Sequence, residues 1–250
     1  MADAVWEAFA GTTPLLVEAG TGTGKSFAYL VPAVLRAVTQ GERVVVSTAT
    51  LALQRQILTK DLPAVAQALT PSLPRPPEVA LLKGWHNYAC KHKVSGGYPD
   101  ETPALFEFEG APEHPDADAQ EGLGPQIVRV REWGGTTETG ARDELVPGVS
   151  DRAWRQVSVP KMDCIGQRCP MMAECFPERA RVAAREADVV VTNHAMLGIA
   201  ASGSPGVLPE HQALVVDEAH ELTGRSRSAA TAELSGPGVE RMARMVRRHA

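Results

Sequence analysis

Glu18 to Ser26 reads EAGTGTGKS, with glycines at alternate positions followed at once by Lys-Ser. An apolar run, Pro14 to Val17, precedes it and a helical pattern follows. Strand, glycine turn, Gly-Lys-Ser and helix together make a phosphate-binding loop. Gly20, Gly22 and Gly24 let the backbone turn tightly, so that N–H groups, including those of Thr21 and Thr23, can point at phosphate oxygens. The helix opening near Lys25 adds the positive end of its dipole. Lys25 neutralises the β- and γ-phosphates in such a loop, and the Ser26 hydroxyl ligates Mg²⁺. The pattern asks for glycine first, and this chain has Ala19, which fits only with a negative φ. A merely flexible glycine loop is the plainer reading, and the strand-loop-helix context speaks against it.

A triphosphate cradle needs a metal-holding partner. Ala213 to Val216, ALVV, is a buried strand that delivers Asp217-Glu218-Ala219-His220 about 190 residues after the loop. In a parallel sheet Asp217 emerges beside Lys25 and Ser26 and can hold Mg²⁺ directly or through water. Glu218 is placed to orient and deprotonate the attacking water. His220 can bond across the cleft and report the state of the γ-phosphate. The alternative for a lone DEAH is a charged strand end.

Four cysteines form the second constellation. Cys164, Cys169 and Cys175 cluster in MDCIGQRCPMMAECF, and Cys90 lies 74 residues earlier in KGWHNYACKHK. None falls in the expected sheet, where core cysteines would sit. The gaps of four and five residues are loose for zinc, whose modules keep ligands two to four apart in pairs. Four thiolates also hold a cubane iron–sulfur cluster, and Cys169-Pro170 resembles the Cys-Pro of some cluster motifs. Cluster, zinc and unliganded thiols all remain open on spacing alone.

The positioning elements follow from pattern. Met1 to Thr13 reads as a helix and turn. After the loop, Phe27, Leu30, Val31, Val34, Leu35 and Val38 form one helical stripe, with Pro32 expected to kink it or leave a carbonyl unpaired, and Gly41 to close it. Arg43 to Thr48, RVVVST, suits a strand buried on both faces. Its end carries Ser47, Thr48 and Thr50, then a helix with Gln54; these polar groups serve either phosphate contact to a nucleic-acid strand or helix capping by Thr50. Residues 70–77, TPSLPRPP, read as a stiff linker and Glu78 to Lys83 as a strand. Regular alternation then stops for about a hundred residues, so Gly84 to Glu186 is expected to be an inserted subdomain, disordered in part. Arg179 to Ala187 reads as a helix and Asp188 to Thr192, DVVVT, as a buried strand ending at Asn193 and His194. The basic tail from Gly224 reads either as a solvated helix face or as the start of a further element.

At 250 residues, 44% hydrophobic and 22% charged, the chain can bury a real core. No run of about 18 apolar residues exists and the N-terminus lacks a secretory pattern, so no membrane partner and a cytosolic address are expected. Four cysteines in a reducing compartment are expected as metal ligands or core rather than disulfides. The net charge of −5 argues against nonspecific nucleic-acid binding by the whole. Residues 100–150, however, carry twelve Asp/Glu and three Arg, which leaves the remainder mildly basic.

AGTGTGKS, STATLALQRQ, four cysteines between that motif and DEAH, and VTNHAML just before it together resemble the iron–sulfur DNA helicases of superfamily 2, of the bacterial DinG type related to XPD. The resemblance covers essentially the whole chain. It implies an α/β fold: a RecA-like P-loop parallel sheet with an inserted, mainly helical iron–sulfur domain. Residues 1–83 and 179–223 are then the first motor lobe, 84–178 the cluster domain with its acidic segment, and 224–250 the start of a further helical domain. It implies ATP at Gly20 to Ser26, Mg²⁺ at Ser26 and Asp217, water activation by Glu218, and a [4Fe–4S] cluster on Cys90, Cys164, Cys169 and Cys175. It implies unwinding from a 5′ single-stranded end, moving 5′ to 3′, on single-stranded or forked DNA, by a monomer. Thr48, Thr50 and Gln54 match the segment that touches the DNA backbone, and Asn193 and His194 the family's NHA stretch. Trp85, His86 and Tyr88, with Lys83, Lys91 and Lys93, form an aromatic-basic patch suited to single strands or to packing around the cluster. The chain departs from the family in its acidic segment, and it stops before the second motor lobe with its arginine finger. These 250 residues alone are therefore expected to bind ATP without unwinding a duplex.

Overall fold

The computed structural model describes residues 1–20, 22–98, 122–204 and 206–231, with 236, 239 and 243. Helix α1 (Ala2–Ala10) leads to the glycine loop, and α2 (Lys25–Gln40) starts from it. Strand β1 (Val44–Thr48) follows, then α3 (Leu51–Gln56), which runs on through a π turn at Ile57–Asp61 into α4 (Leu62–Leu69). Next come β2 (Val79–Leu81), α5 (Lys91–Val94), α6 (Leu123–Thr136), α7 (Asp151–Trp154) and α8 (Phe176–Glu186). Strand β3 (Val189–Asn193), α9 (His194–Ala201), β4 (Ala213–Val216) and α10 (Leu222–Ala230) complete the described elements.

The strands form one parallel sheet in the order β2-β3-β1-β4. Its valine runs are buried on both faces, as continuous apolar strands require. Val44, Val46, Val189 and Val191 enter a cluster with Leu30, Ala33, Val34 and Ala37 of α2. Val45 and Val190 point the other way, against Ala184, Ala187 and Met196. Helix α2 runs unbroken through the buried Pro32, and Gly41 closes it in the left-handed region at φ 69°.

The strand expected at Pro14 to Val17 does not form. Residues 14–20 carry no ladder, and Leu16 is 89% exposed. A strand needs a neighbour's N–H and C=O groups. Across a groove of about 810 Å³ stands β4, which pairs only on its β1 side.

Residues between β2 and α8 build their own apolar cluster around Tyr88, Val130, Leu145, Trp154 and Phe176. Lys83 lies at its edge, 1% exposed and ion-paired with Asp143. The acidic stretch thus supplies the counter-charge of a buried lysine, which would otherwise be costly to desolvate. Residues 100–121 of that stretch lie outside the described residues, as do Arg241, Arg244, Arg247 and Arg248 of the tail. Helix α10 packs on α9 at Gly198, where a Cβ would meet Ser226 within 3 Å.

The linker is pinned to the sheet rather than merely stiff. Arg75 holds Asp188 with two bonds of 2.5 and 2.7 Å, and the Glu78 N–H adds a third at 2.8 Å. Burial pushes the Asp188 carboxyl up, but the Arg75 guanidinium and that N–H outweigh it and hold the carboxyl below the usual range. A depressed folded pKa stabilises the fold at pH above the unfolded value of about 3.9 and stops doing so as pH falls through the folded value. Asp188→Asn should therefore cost roughly 0.5–1 kcal/mol at pH 7, a range kept low because Arg75 is half exposed. Urea unfolding should show the gap closing below about pH 4.

Candidate nucleotide and cysteine sites

The glycine loop is built for open backbone. Gly22 and Gly24 take φ of 75° and 82°, where a side chain would be strained, and Gly24 caps α2. Among the described residues Glu218 is the one non-glycine with positive φ, so Ala19 meets its condition. The Thr23 hydroxyl donates to the Gly20 carbonyl at 2.8 Å, which tightens the turn. Thr21 lies outside the described residues.

The acidic turn after β4 reaches this loop. Lys25 Nζ lies 2.7 Å from Glu218 Oε1, a pairing across 193 positions of sequence. The hydrogen bond from Lys25 holds the Glu218 carboxyl low, and the same bond holds the Lys25 ammonium high. Asp217 behaves oppositely: burial and the neighbouring Glu218 charge raise it. The Asp217 N–H donates to the Ser47 carbonyl at 2.9 Å, which fixes the turn to β1. His220, largely exposed, lies 3.4 Å from Glu218 Oε2 through Nδ1. It therefore sits beside the same carboxylate that Lys25 holds.

Tyr29 belongs to this site although its motif context gave no hint of it. Its hydroxyl is buried beside Ser26 and Asp217. Burial, then the Asp217 charge, pushes the phenol up, so it stays neutral. The signal was spacing: three residues after Ser26 and four after Lys25 is the same helix face.

The polar residues assigned to DNA divide differently from expectation. Thr48 and His194 are fully buried and Gln54 is 1% exposed, so none of the three offers a surface to a DNA strand. The reason is the sheet itself, which covers the ends of β1 and β3 with α3 and α9. Thr50 caps α3, its Oγ1 accepting from Leu53 N at 3.2 Å, and Asn193 caps α9, its Oδ1 accepting from Met196 N at 2.9 Å. The aromatic-basic patch also comes apart. Tyr88 and Lys83 are core. Lys93 donates to the Arg155 carbonyl at 2.8 Å, and Lys91 stands 5.1 Å over the Phe176 ring. Trp85 keeps partial exposure, but Arg181 stands 4.4 Å over its ring.

Cys90, Cys164, Cys169 and Cys175 line one cavity with Trp85, Tyr98 and Met172. The thiols are free. Burial raises Cys90 and Cys175, and the neighbouring cysteines add to both. The Gly166 N–H donates to Cys164 Sγ at 3.4 Å. No three His, Cys, Asp or Glu among the described residues converge as on a single ion.

The DEAD/DEAH box helicase family signature matches residues 2–67. The chain is 51% identical over 254 aligned residues to the ATP-dependent helicase DinG of Mycobacterium tuberculosis, covering 99% of this chain and 37% of that protein. It is 38% identical over 227 residues to the ATP-dependent DNA helicase YoaA of Escherichia coli, 89% of this chain and 32% of that one. To DinG of Photobacterium profundum it is 33% identical over 230 residues, 89% of this chain and 31% of the relative. The chain thus spans about a third of the length of these relatives. No helix among the described residues is long and apolar enough to cross a membrane. Across nearly its whole length, the phosphate loop and the acidic turn included, the chain belongs to the DinG and YoaA group of DEAD/DEAH box helicases.

Proposed function

We propose that the chain is the ATP-binding and cluster-bearing part of an ATP-dependent DNA helicase that moves 5′ to 3′ along single-stranded DNA. The observation that carries the reading is the Lys25–Glu218 contact, which joins the two halves of a triphosphate site. Gly20, Gly22, Thr23 and Gly24 offer backbone to phosphates, Lys25 balances their charge, and Ser26 and Asp217 would hold Mg²⁺. Bound Mg²⁺ would neutralise charge on the β- and γ-phosphates. With triphosphate present Lys25 turns to the phosphates. That frees Glu218 to accept a proton from water, with His220 beside it.

The cysteine set fits an iron–sulfur cluster, and residues 84–178 would be its domain. The four thiols line one cavity, and a cubane takes one thiolate on each of four irons. The cluster would tie together a region whose own apolar core is small.

The test is strand displacement and ATP hydrolysis by the full-length protein, with iron and sulfide quantified. Hydrolysis stimulated by single strands, unwinding from a 5′ tail and about four irons per chain are expected. Hydrolysis indifferent to DNA, with one zinc and no iron, would replace the reading with that of a P-loop ATPase holding a structural zinc.

A further inference from the structure

His194 is the first residue of α9 and is fully buried between the ends of β1 and β3. Its Nδ1 lies 2.8 Å from Ser47 Oγ. Ser47 is also fully buried, and its carbonyl accepts the Asp217 N–H at 2.9 Å. One residue of β1 therefore holds the metal-binding turn through its backbone and His194 through its side chain. The other imidazole nitrogen, Nε2, has no partner. Contacts with the Glu218 and Asp217 backbones favour a charged ring, yet burial outweighs them and lowers its pKa. Neutral imidazole carries one N–H, and the serine hydroxyl can serve Nδ1 as donor or acceptor. With the proton on Nε2, the side chain is an orphaned donor facing the acidic turn.

Two further features sit around it. Glu218 is held in the left-handed region, at φ 54° and ψ 45°, an unusual place for a residue with a side chain. Gln54 is equally buried, with both amide atoms unpartnered, on the helix α3 that packs against β1 and β3. Buried polar groups are paired as a rule, and unpaired ones mark a second arrangement or a function. Gln54 follows Thr50, the cap of α3, and His194 opens α9; both helices pack on the ends of β1 and β3.

We infer that His194 is a positioning residue that links the nucleotide-sensing turn at Asp217–Glu218 to the end of β1, through Ser47 on one side and a reserve hydrogen bond from Nε2 on the other. When triphosphate draws Lys25 away, the Glu218 peptide relaxes and turns a carbonyl to Nε2–H. The ring then transmits the change to Ser47 and to the segment beyond it. The inference deepens the helicase reading and rests on it, because the segment beyond Ser47 must bear on DNA for the link to matter.

The experiment compares full-length wild type with His194→Asn and His194→Gln. Asparagine reproduces the Nδ1 position and can keep the Ser47 bond, but ends short of Nε2. Glutamine reaches the Nε2 position. Hydrolysis is measured with and without single-stranded DNA, together with affinity for Mg-ATP and thermal melting. For His194→Asn we expect basal hydrolysis and Mg-ATP affinity within about threefold of wild type, and stimulation by DNA reduced roughly tenfold, the scale of a typical coupling between sites. His194→Gln should recover part of the stimulation. Undiminished stimulation in a folded His194→Asn, or basal and stimulated rates falling together, overturns the inference and leaves a purely structural histidine. If His194→Asn does not fold, Ser47→Ala removes the other end of the link and should give the same selective loss; unchanged stimulation there also overturns it. A wild type that DNA does not stimulate removes the helicase reading itself, a failure seen before any variant is made.

Discussion

Glu218→Gln in the full-length protein should slow ATP hydrolysis by on the order of 10²–10⁴ while Mg-ATP still binds. The amide keeps the shape and one acceptor oxygen but cannot take a proton from water. Glu218 can take that task once Lys25 turns to the phosphates and leaves its carboxylate free, with His220 Nδ1 3.4 Å away. Lys25→Ala should act differently. It removes the cation from the phosphates, so both binding and hydrolysis fall, and stimulated activity disappears. Titration with a fluorescent nucleotide and steady-state hydrolysis separate the two variants. A Glu218→Gln protein that hydrolyses ATP at the wild-type rate would take the base assignment away from this turn. A Lys25→Ala protein of wild-type affinity would remove the loop from the triphosphate.

Cys169→Ser should cost the protein its iron. A serine hydroxyl is a hard, weakly acidic donor that replaces a soft thiolate poorly. The wild type should be brown and bleach on reduction, and the variant should purify with most of its iron and sulfide gone. The loss should stay local. Tyr88, Val130, Trp154 and Phe176 form a core apart from the valines of the sheet, so Mg-ATP affinity of the variant should stay near that of wild type. Protease should instead cut the region between β2 and α8 faster, because the cluster proposed to tie Cys90, Cys164, Cys169 and Cys175 would be gone. A colourless wild type with one zinc, or a Cys169→Ser protein with a full complement of iron, would end the cluster assignment.

Much of the site was legible in the residues alone, because its chemistry is local. A phosphate loop is a matter of which positions tolerate positive φ, and Gly22 and Gly24 declare that without any partner. The valine runs at 44–46 and 189–191 declare a two-sided burial in the same way, and Thr50 declares a cap. The four cysteines pointed to one another by type and by their absence from the sheet, and one cavity collects them. What local pattern could not reveal was which polar group faces inward. Ser47, Thr48, Gln54 and His194 are hydrophilic by type, and nothing in their spacing says that α3 and α9 cover them. The same holds for Lys83, which reads as a surface cation until Asp143, sixty positions away, supplies a buried partner.

By itself, then, the sequence determined the elements, the order in which they deliver Lys25, the four thiols and Asp217, and the chemistry those side chains are able to do. Only the tertiary structure decided that Pro14 to Val17 stays unpaired, that Tyr29 looks onto Asp217, and that His194 is buried against Ser47. The physical reason is range. Turns, caps and periodicity are settled within a few residues of chain, whereas a ladder partner, a counter-ion or a burial depth comes from strands and helices far away in sequence.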